Sequence, residues 1–247
     1  MPEKEDPYKK FQESMLKLHG KIHVLNTAIP VEEQTSYFKL SQKVKEDLNE
    51  KMVLSQKDLL FDTSYEPEFK KRLLLSLATL DNIEAYRAIE KYSEQPDEYL
   101  LNWAVIALEE SKMNIERALS DEEQIFISTG LGGRDEKLRF FIVFFPASKA
   151  GFTEFQLKTA KKELEFIFEK NKCELEEFIE YADYFTIKAL FPFNLNMKEV
   201  LNGYLNEVNQ YGNFIRMNLL ITNIKVFNKE EIHSSMKLDV PEESSIL

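Results

Sequence analysis

Apolar residues recur every three or four positions in the first half of the chain and gather into short continuous runs in the second. The pattern predicts helices before about residue 120 and a mixed sheet after it. Phe11, Met15, Leu16 and Leu18 mark a short amphipathic helix that Gly20 would end. Tyr37, Phe38, Leu40, Val44 and Leu48 place a second helix from Val31 to about Lys51. Phe69, Leu73, Leu74, Leu77 and Leu80 form a longer stripe starting at Glu66. It breaks at Asp81-Asn82, where Asn82 can cap the helix carrying Ile83, Tyr86, Ala88 and Ile89. Pro96 reads as the first position of a third helix, with Leu100, Trp103, Ala104, Ala107 and Leu108 buried, and Met113 to Leu119 as a shorter fourth.

In the second half, Gln124-Ile-Phe-Ile-Ser-Thr and Lys137-Leu-Arg-Phe-Phe-Ile-Val-Phe-Phe are rich in β-branched and aromatic residues. Gly130-Leu-Gly-Gly-Arg-Asp lies between them, and the reading is a hairpin. Pro146 ends the second strand. The next helix starts with Thr153 as N-cap, Gln156 as its capping-box partner, and Phe152 with Leu157 as a hydrophobic staple. Cys173 to Ile179 and Tyr184 to Phe191 follow as two strands. Asn196 caps the next helix, with Glu199 at the third position and Gly212 as its stop, and Asn218 to Phe227 reads as a last strand.

Two family resemblances follow. LATLDNIEAYRAI and IALEESKMNIERAL, about 30 residues apart, make residues 66–119 resemble HEAT-type helical repeats; an ordinary helical bundle is the alternative. FFIVFFP and FTIKALFPF each lead through a helix to a strand, an order that resembles the ferredoxin-like βαββαβ arrangement. That fold buries its first and third strands, and Phe140 to Phe145 and Phe185 to Phe191 are the most continuously apolar runs. The expected fold class is α+β: a helical domain over 1–120, a ferredoxin-like domain with two helices and one extra N-terminal strand over 121–230, and a polar tail over 231–247. If the extra strand pairs as a hairpin, it must displace the last strand or extend an edge.

Composition narrows the function classes. Apolar residues make up 43% of the 247 and charged residues 30%, the balance of a globular chain. The 43 acidic and 32 basic residues give a formal charge of −11, which disfavours a phosphate backbone as partner. The charged, proline-broken start does not resemble a secretory signal, and no apolar run approaches the roughly 18 residues of a spanning helix. The expectation is a cytoplasmic chain without a membrane partner. The lone Cys173 fits a reducing compartment, and the abundance of Lys, Asn, Ile, Phe and Tyr suggests a bacterial source.

Candidate chemistry is sparse. The glycine cluster could cradle an anion with its backbone amides, so the candidate binding residues are Gly132, Gly133, Arg134, Lys137 and Arg139. It leads into a strand, whereas the P-loop and Rossmann motifs lead into a helix. His19 and His23 have the four-residue spacing of a helical zinc pair but lack the following glutamate. Cys173 reads as a small buried hydrophobe, His233 has no evident partner, and Glu174-Leu-Glu-Glu and Asp121-Glu-Glu read as solvated faces. Arg134, Lys137 and Arg139 with Phe140 and Tyr184 could present charge and rings on one sheet, but KLRFFIVFF lacks the RNA-recognition signature. No metal, cofactor or catalytic group is expected. The leading expectation is a non-enzymatic adaptor that binds another protein or a second copy of itself, with nucleic acid disfavoured as a partner. The alternatives are a small-ligand-sensing regulatory module and an RNA- or ribosome-associated protein.

Overall fold

The computed structural model describes residues 20–45, 48–120 and 122–238, and the predicted N-terminal helix and His19 lie outside them. The chain is α+β, with helices first and an antiparallel sheet after them. It divides between residues 136 and 137 into two units. No helix of the described residues is long and apolar enough to cross a membrane.

The helical unit contains strand β1 (Lys21–Val24), helices α1 (Val31–Lys45), α2 (Glu50–Ser55), α3 (Pro67–Ala78), α4 (Ile83–Glu94) and α5 (Leu101–Leu119), then strands β2 (Gln124–Ile127) and β3 (Gly133–Arg134). Pro67 occupies the first turn of α3, where its missing N–H costs nothing. The Asn82 side chain accepts from the amides of Glu84 and Ala85, the predicted cap. One core of buried Leu, Ile and Ala side chains joins α1, α3, α4 and α5, with Tyr37 and Trp103 in edge contact, ring centroids 5.4 Å apart. The two predicted helices from Pro96 onward are largely one, α5, because Glu109 to Met113 contains neither Gly nor Pro and nothing there interrupts the ladder. The two repeat-like segments therefore differ: 77–89 spans a helix break and 106–119 is continuous helix.

The strand at Gln124 does not form the predicted hairpin. It pairs in parallel with β1, Lys21 opposite Gln124 and Val24 opposite Ile127. Parallel strands need a long crossover, here the five helices. The division into units falls after β3, so residues 122–136 group with the helices. Gly132 adopts a φ of +67°, and a Cβ there would lie 2.6, 2.7 and 2.8 Å from the carbonyl oxygens of Leu25, Asn26 and Thr27. Only glycine allows that approach.

The sheet unit contains β4 (Lys137–Phe144), α6 (Glu154–Lys170), β5 (Glu174–Glu180), β6 (Phe185–Pro192), α7 (Met197–Asn209), β7 (Leu220–Thr222) and α8 (Lys229–Leu238). Its strands run β7-β4-β6-β5, all antiparallel, with Phe140 opposite Ala189 and Phe144 opposite Phe185. The extra strand being elsewhere, β4 keeps β6 and β7 on its flanks. Residues opposite one another share a face. The Phe140, Ile142 and Phe144 face carries α6 and α7: Phe168 packs on Phe191, and Tyr204 packs on Phe144 and donates to the Ala160 carbonyl at 3.1 Å. Thr153 and Gln156 form the predicted capping box. The last strand is shorter than predicted, and the Thr222 hydroxyl accepts from the Ile224 amide where the ladder stops.

The start of the predicted polar tail is helix α8. Asn228 and Glu231 exchange hydrogen bonds at 2.9 Å in a reciprocal cap, and Ile232 is buried. On α7, Gly203 has open space where a Cβ would point. Gly203→Ala should therefore stabilise the sheet unit by about 0.5–1 kcal/mol through helix propensity. A lower melting temperature for this variant would contradict the open placement.

Candidate functional site

The glycine cluster is already engaged. The Gly133 amide donates to the Leu25 carbonyl at 2.8 Å and the Gly132 amide to the Thr129 carbonyl at 3.1 Å, so the cradle's donors are turned to its own backbone. Arg134 lies 3.7 Å from Asp135. In the sheet unit Lys137 pairs with Glu174, and Arg139 reaches across β6 to Glu176 in a two-point contact, 2.8 Å at its second nitrogen. The bond to Glu176 raises the Arg139 guanidinium further above its ordinary range. Lys188 pairs with Glu177 at 2.7 Å on the same face. The acidic run read as a solvated face is thus the counter-charge of the predicted basic cluster, and the two neutralise each other.

The remaining single candidates are dispersed. His23 lies on β1, not a helix, with its Nε2 2.6 Å from the Gln124 side-chain oxygen and 3.4 Å from Glu116. His233 bridges the Lys229 carbonyl at 2.7 Å and Asp183 at 2.8 Å. Among the described residues no three His, Cys, Asp or Glu side chains gather as for a metal. Cys173 is buried, and burial pushes its thiol up to about 12. Its reaction with a disulfide reagent at pH 8 should be at least about 100-fold slower than after denaturation, since the thiolate is the nucleophile. Comparable rates in the two states would show the thiol to be accessible.

The chemically richest place is one the sequence reading passed over. In the helical unit a cavity of about 400 Å³ is lined by Leu60 and Phe61 of the 3-10 turn Lys57–Phe61, by Thr63 just after it, and by Lys70, Lys91, Tyr92, Glu94, Gln95 and Asp97. That is the size of a small-molecule site. Lys70 is 1% exposed, and its ammonium donates to Asp97 Oδ2 at 2.7 Å. The Tyr92 hydroxyl donates to the same oxygen at 2.6 Å and accepts from the Asp97 amide at 3.2 Å. Burial pushes the Asp97 carboxyl up, but the Lys70 and Tyr92 hydrogen bonds outweigh it and hold it below its ordinary value. Burial first, then Asp97, pushes the Tyr92 hydroxyl well above its ordinary value. The result is a fixed, ionised carboxylate at a cavity wall. Opposite in charge, the Lys91 ammonium lies 5.0 Å from the centre of the Phe61 ring.

A readable signal existed. Lys70, Leu73, Leu74 and Leu77 have the spacing of a buried helical stripe, so a lysine occupies a core position. A second depression of about 400 Å³ between α6 and α7, lined by Glu163, Phe166, Glu199 and Glu207 among others, has no buried ionisable group in its lining.

No family model and no curated protein matches the chain. Among solved structures, it is similar to the REP-associated tyrosine transposase bound to a REP hairpin, at 7% identity over 42% of this chain and 70% of that one, TM-score 0.33. It is also similar to a protein of Deinococcus radiodurans R1 assigned as a transposase, at 11% identity over 43% of this chain and 93% of that one, TM-score 0.34. These matches correct the functional expectation. The neighbours are transposases, one of them bound to a hairpin, so neither the non-enzymatic protein-binding adaptor nor the disfavouring of nucleic acid is kept. Similarity at this level carries no activity over to the present chain.

Proposed function

We propose that the helical unit is a receptor for a small polar molecule, bound in the cavity with Asp97 as its anchor. One observation carries this reading: a carboxylate held ionised at the wall of a cavity by a fully buried lysine and a tyrosine. Preorganisation of that kind lowers the cost of binding, because the side chain does not have to be ordered when the ligand arrives. The sheet unit, with strand order β7-β4-β6-β5 and both α6 and α7 on one face, is inferred to be ferredoxin-like. Its other face is crossed by the Arg139–Glu176 and Lys188–Glu177 pairs, and this neutral lattice favours a supporting role over a charged binding surface.

The test is thermal unfolding of the whole chain with a panel of small amines, amino acids, sugars and nucleosides, and separately with a DNA hairpin. A ligand at 100 times its Kd should stabilise the helical unit by about 2.7 kcal/mol. The shift should be lost in Asp97→Asn. A panel with no effect, or a shift undiminished in Asp97→Asn, would overturn the proposal. A shift with the hairpin alone would do so too, and would assign the chain a nucleic-acid partner.

A further inference from the structure

The receptor reading can be taken one step further, to the chemical class of the ligand. Three features of the cavity bear on it. First, the Lys70 ammonium is 1% exposed, so it cannot meet a ligand and serves to position Asp97. An ionised carboxylate has about four lone-pair sites on two oxygens. Lys70 and Tyr92 both donate to Asp97 Oδ2, and Asp97 is still 23% exposed, so it can accept a further donor from the cavity. Glu94 adds a second carboxylate to the same lining.

Second, the lining cation that a ligand can reach is Lys91. Its side chain is exposed and lies against the Phe61 ring, and among the described residues no carboxylate pairs with it. A carboxylate brought there would meet an ammonium held in place by a ring face rather than one already neutralised.

Third, Leu60, Phe61 and the Tyr92 ring, with Phe61 and Tyr92 edge to face at 5.8 Å, give an apolar wall beside these charges. Thr63 and Gln95 supply neutral polar groups. A simple anion would face Asp97 and Glu94, a simple cation would leave Lys91 unused, and a wholly apolar ligand would leave both charges unpaired.

From this complementarity we infer that the cavity takes a zwitterion of amino-acid type, its ammonium on Asp97, its carboxylate on Lys91 and its side chain on the Leu60–Phe61 wall. The inference rests on the receptor reading above and adds the requirement for both charges in one ligand.

The experiment compares three matched probes on the full chain by titration calorimetry: L-leucine, 3-methylbutylamine, which lacks the carboxylate, and 4-methylpentanoate, which lacks the ammonium. L-phenylalanine, phenethylamine and 3-phenylpropionate form a second set. The expected result is that in at least one set the zwitterion binds at least about 10-fold more tightly than either partner. Lys91→Met, at an exposed position, should reduce zwitterion binding about 10-fold and leave the amine unchanged. If the amine binds as tightly as the zwitterion, or if Lys91→Met affects both alike, the two-charge requirement is wrong while the receptor reading survives. If none of the six binds, the inference fails; a sugar or nucleoside shift that requires Asp97 would then keep the receptor reading, and silence across the whole panel would remove it as well.

Discussion

Gly132→Ala should lower the stability of the helical unit by about 3 kcal/mol or more. Two costs add. A left-handed backbone costs a non-glycine residue about 1–2 kcal/mol, and φ at Gly132 is +67°. The added methyl would also lie 2.6–2.8 Å from three backbone carbonyl oxygens, and overpacking of this kind costs about 1–3 kcal/mol. Neither side of the contact can yield cheaply. The Leu25 amide donates to the Ile127 carbonyl at 3.1 Å, and the Leu25 carbonyl accepts from the Gly133 amide at 2.8 Å, so both segments are tied to the β1–β2 pair. The melting temperature should fall by about 6–12 °C. Gly203→Ala, the same substitution in open space, should not lower it. A Gly132→Ala chain that melts within about a degree of the parent would show that the loop is free to move.

Gly132 also shows how far the sequence could be read. The glycine cluster stood out as unusual, yet the sequence offered an anion cradle or a hairpin turn and not a clasp on residues 25–27. That partner lies about 100 residues upstream, and KIHV is too short to declare itself a strand. Local signals were legible: the Asn82 cap and the Thr153–Gln156 box depend only on neighbours three residues apart. So were the long apolar strands, whose β4–β6 pairing follows from two continuous runs. The Asn228–Glu231 box was equally local, but the polar composition around it hid the helix. What could not be read was any arrangement that depends on distant residues meeting. Lys137 and Arg139 looked like a basic surface because the glutamates that neutralise them lie 37 residues later. The cavity was hidden for the same reason, since Lys70 and Asp97 are 27 residues apart and meet only when α3 packs on α4.

That meeting sets up the other large effect: Asp97→Ala should cost about 3 kcal/mol, and Lys70→Met only about 1 kcal/mol. The asymmetry follows from which group is left behind. With Asp97 gone, an ammonium that is 1% exposed has lost its carboxylate and cannot reach water. With Lys70 replaced by an apolar chain of similar length, Asp97 keeps the Tyr92 hydroxyl and is 23% exposed, so water can replace the lost donor. The double variant should cost about 1 kcal/mol, less than Asp97→Ala alone, because removing the stranded charge relieves most of the penalty; the coupling is about 3 kcal/mol. The pH dependence carries a definite sign. The Asp97 carboxyl is held below its ordinary value in the fold, so its contribution is fully present above the unfolded value of about 4 and is lost as pH falls through the lower folded value. The gap between parent and Asp97→Ala should therefore be constant from pH 5 to 8 and close below about pH 4. Denaturant midpoints for the four chains decide the matter. Equal costs for the two single variants, or a gap that persists in acid, would mean that Lys70 and Asp97 do not form the buried pair from which the cavity's anchor is built.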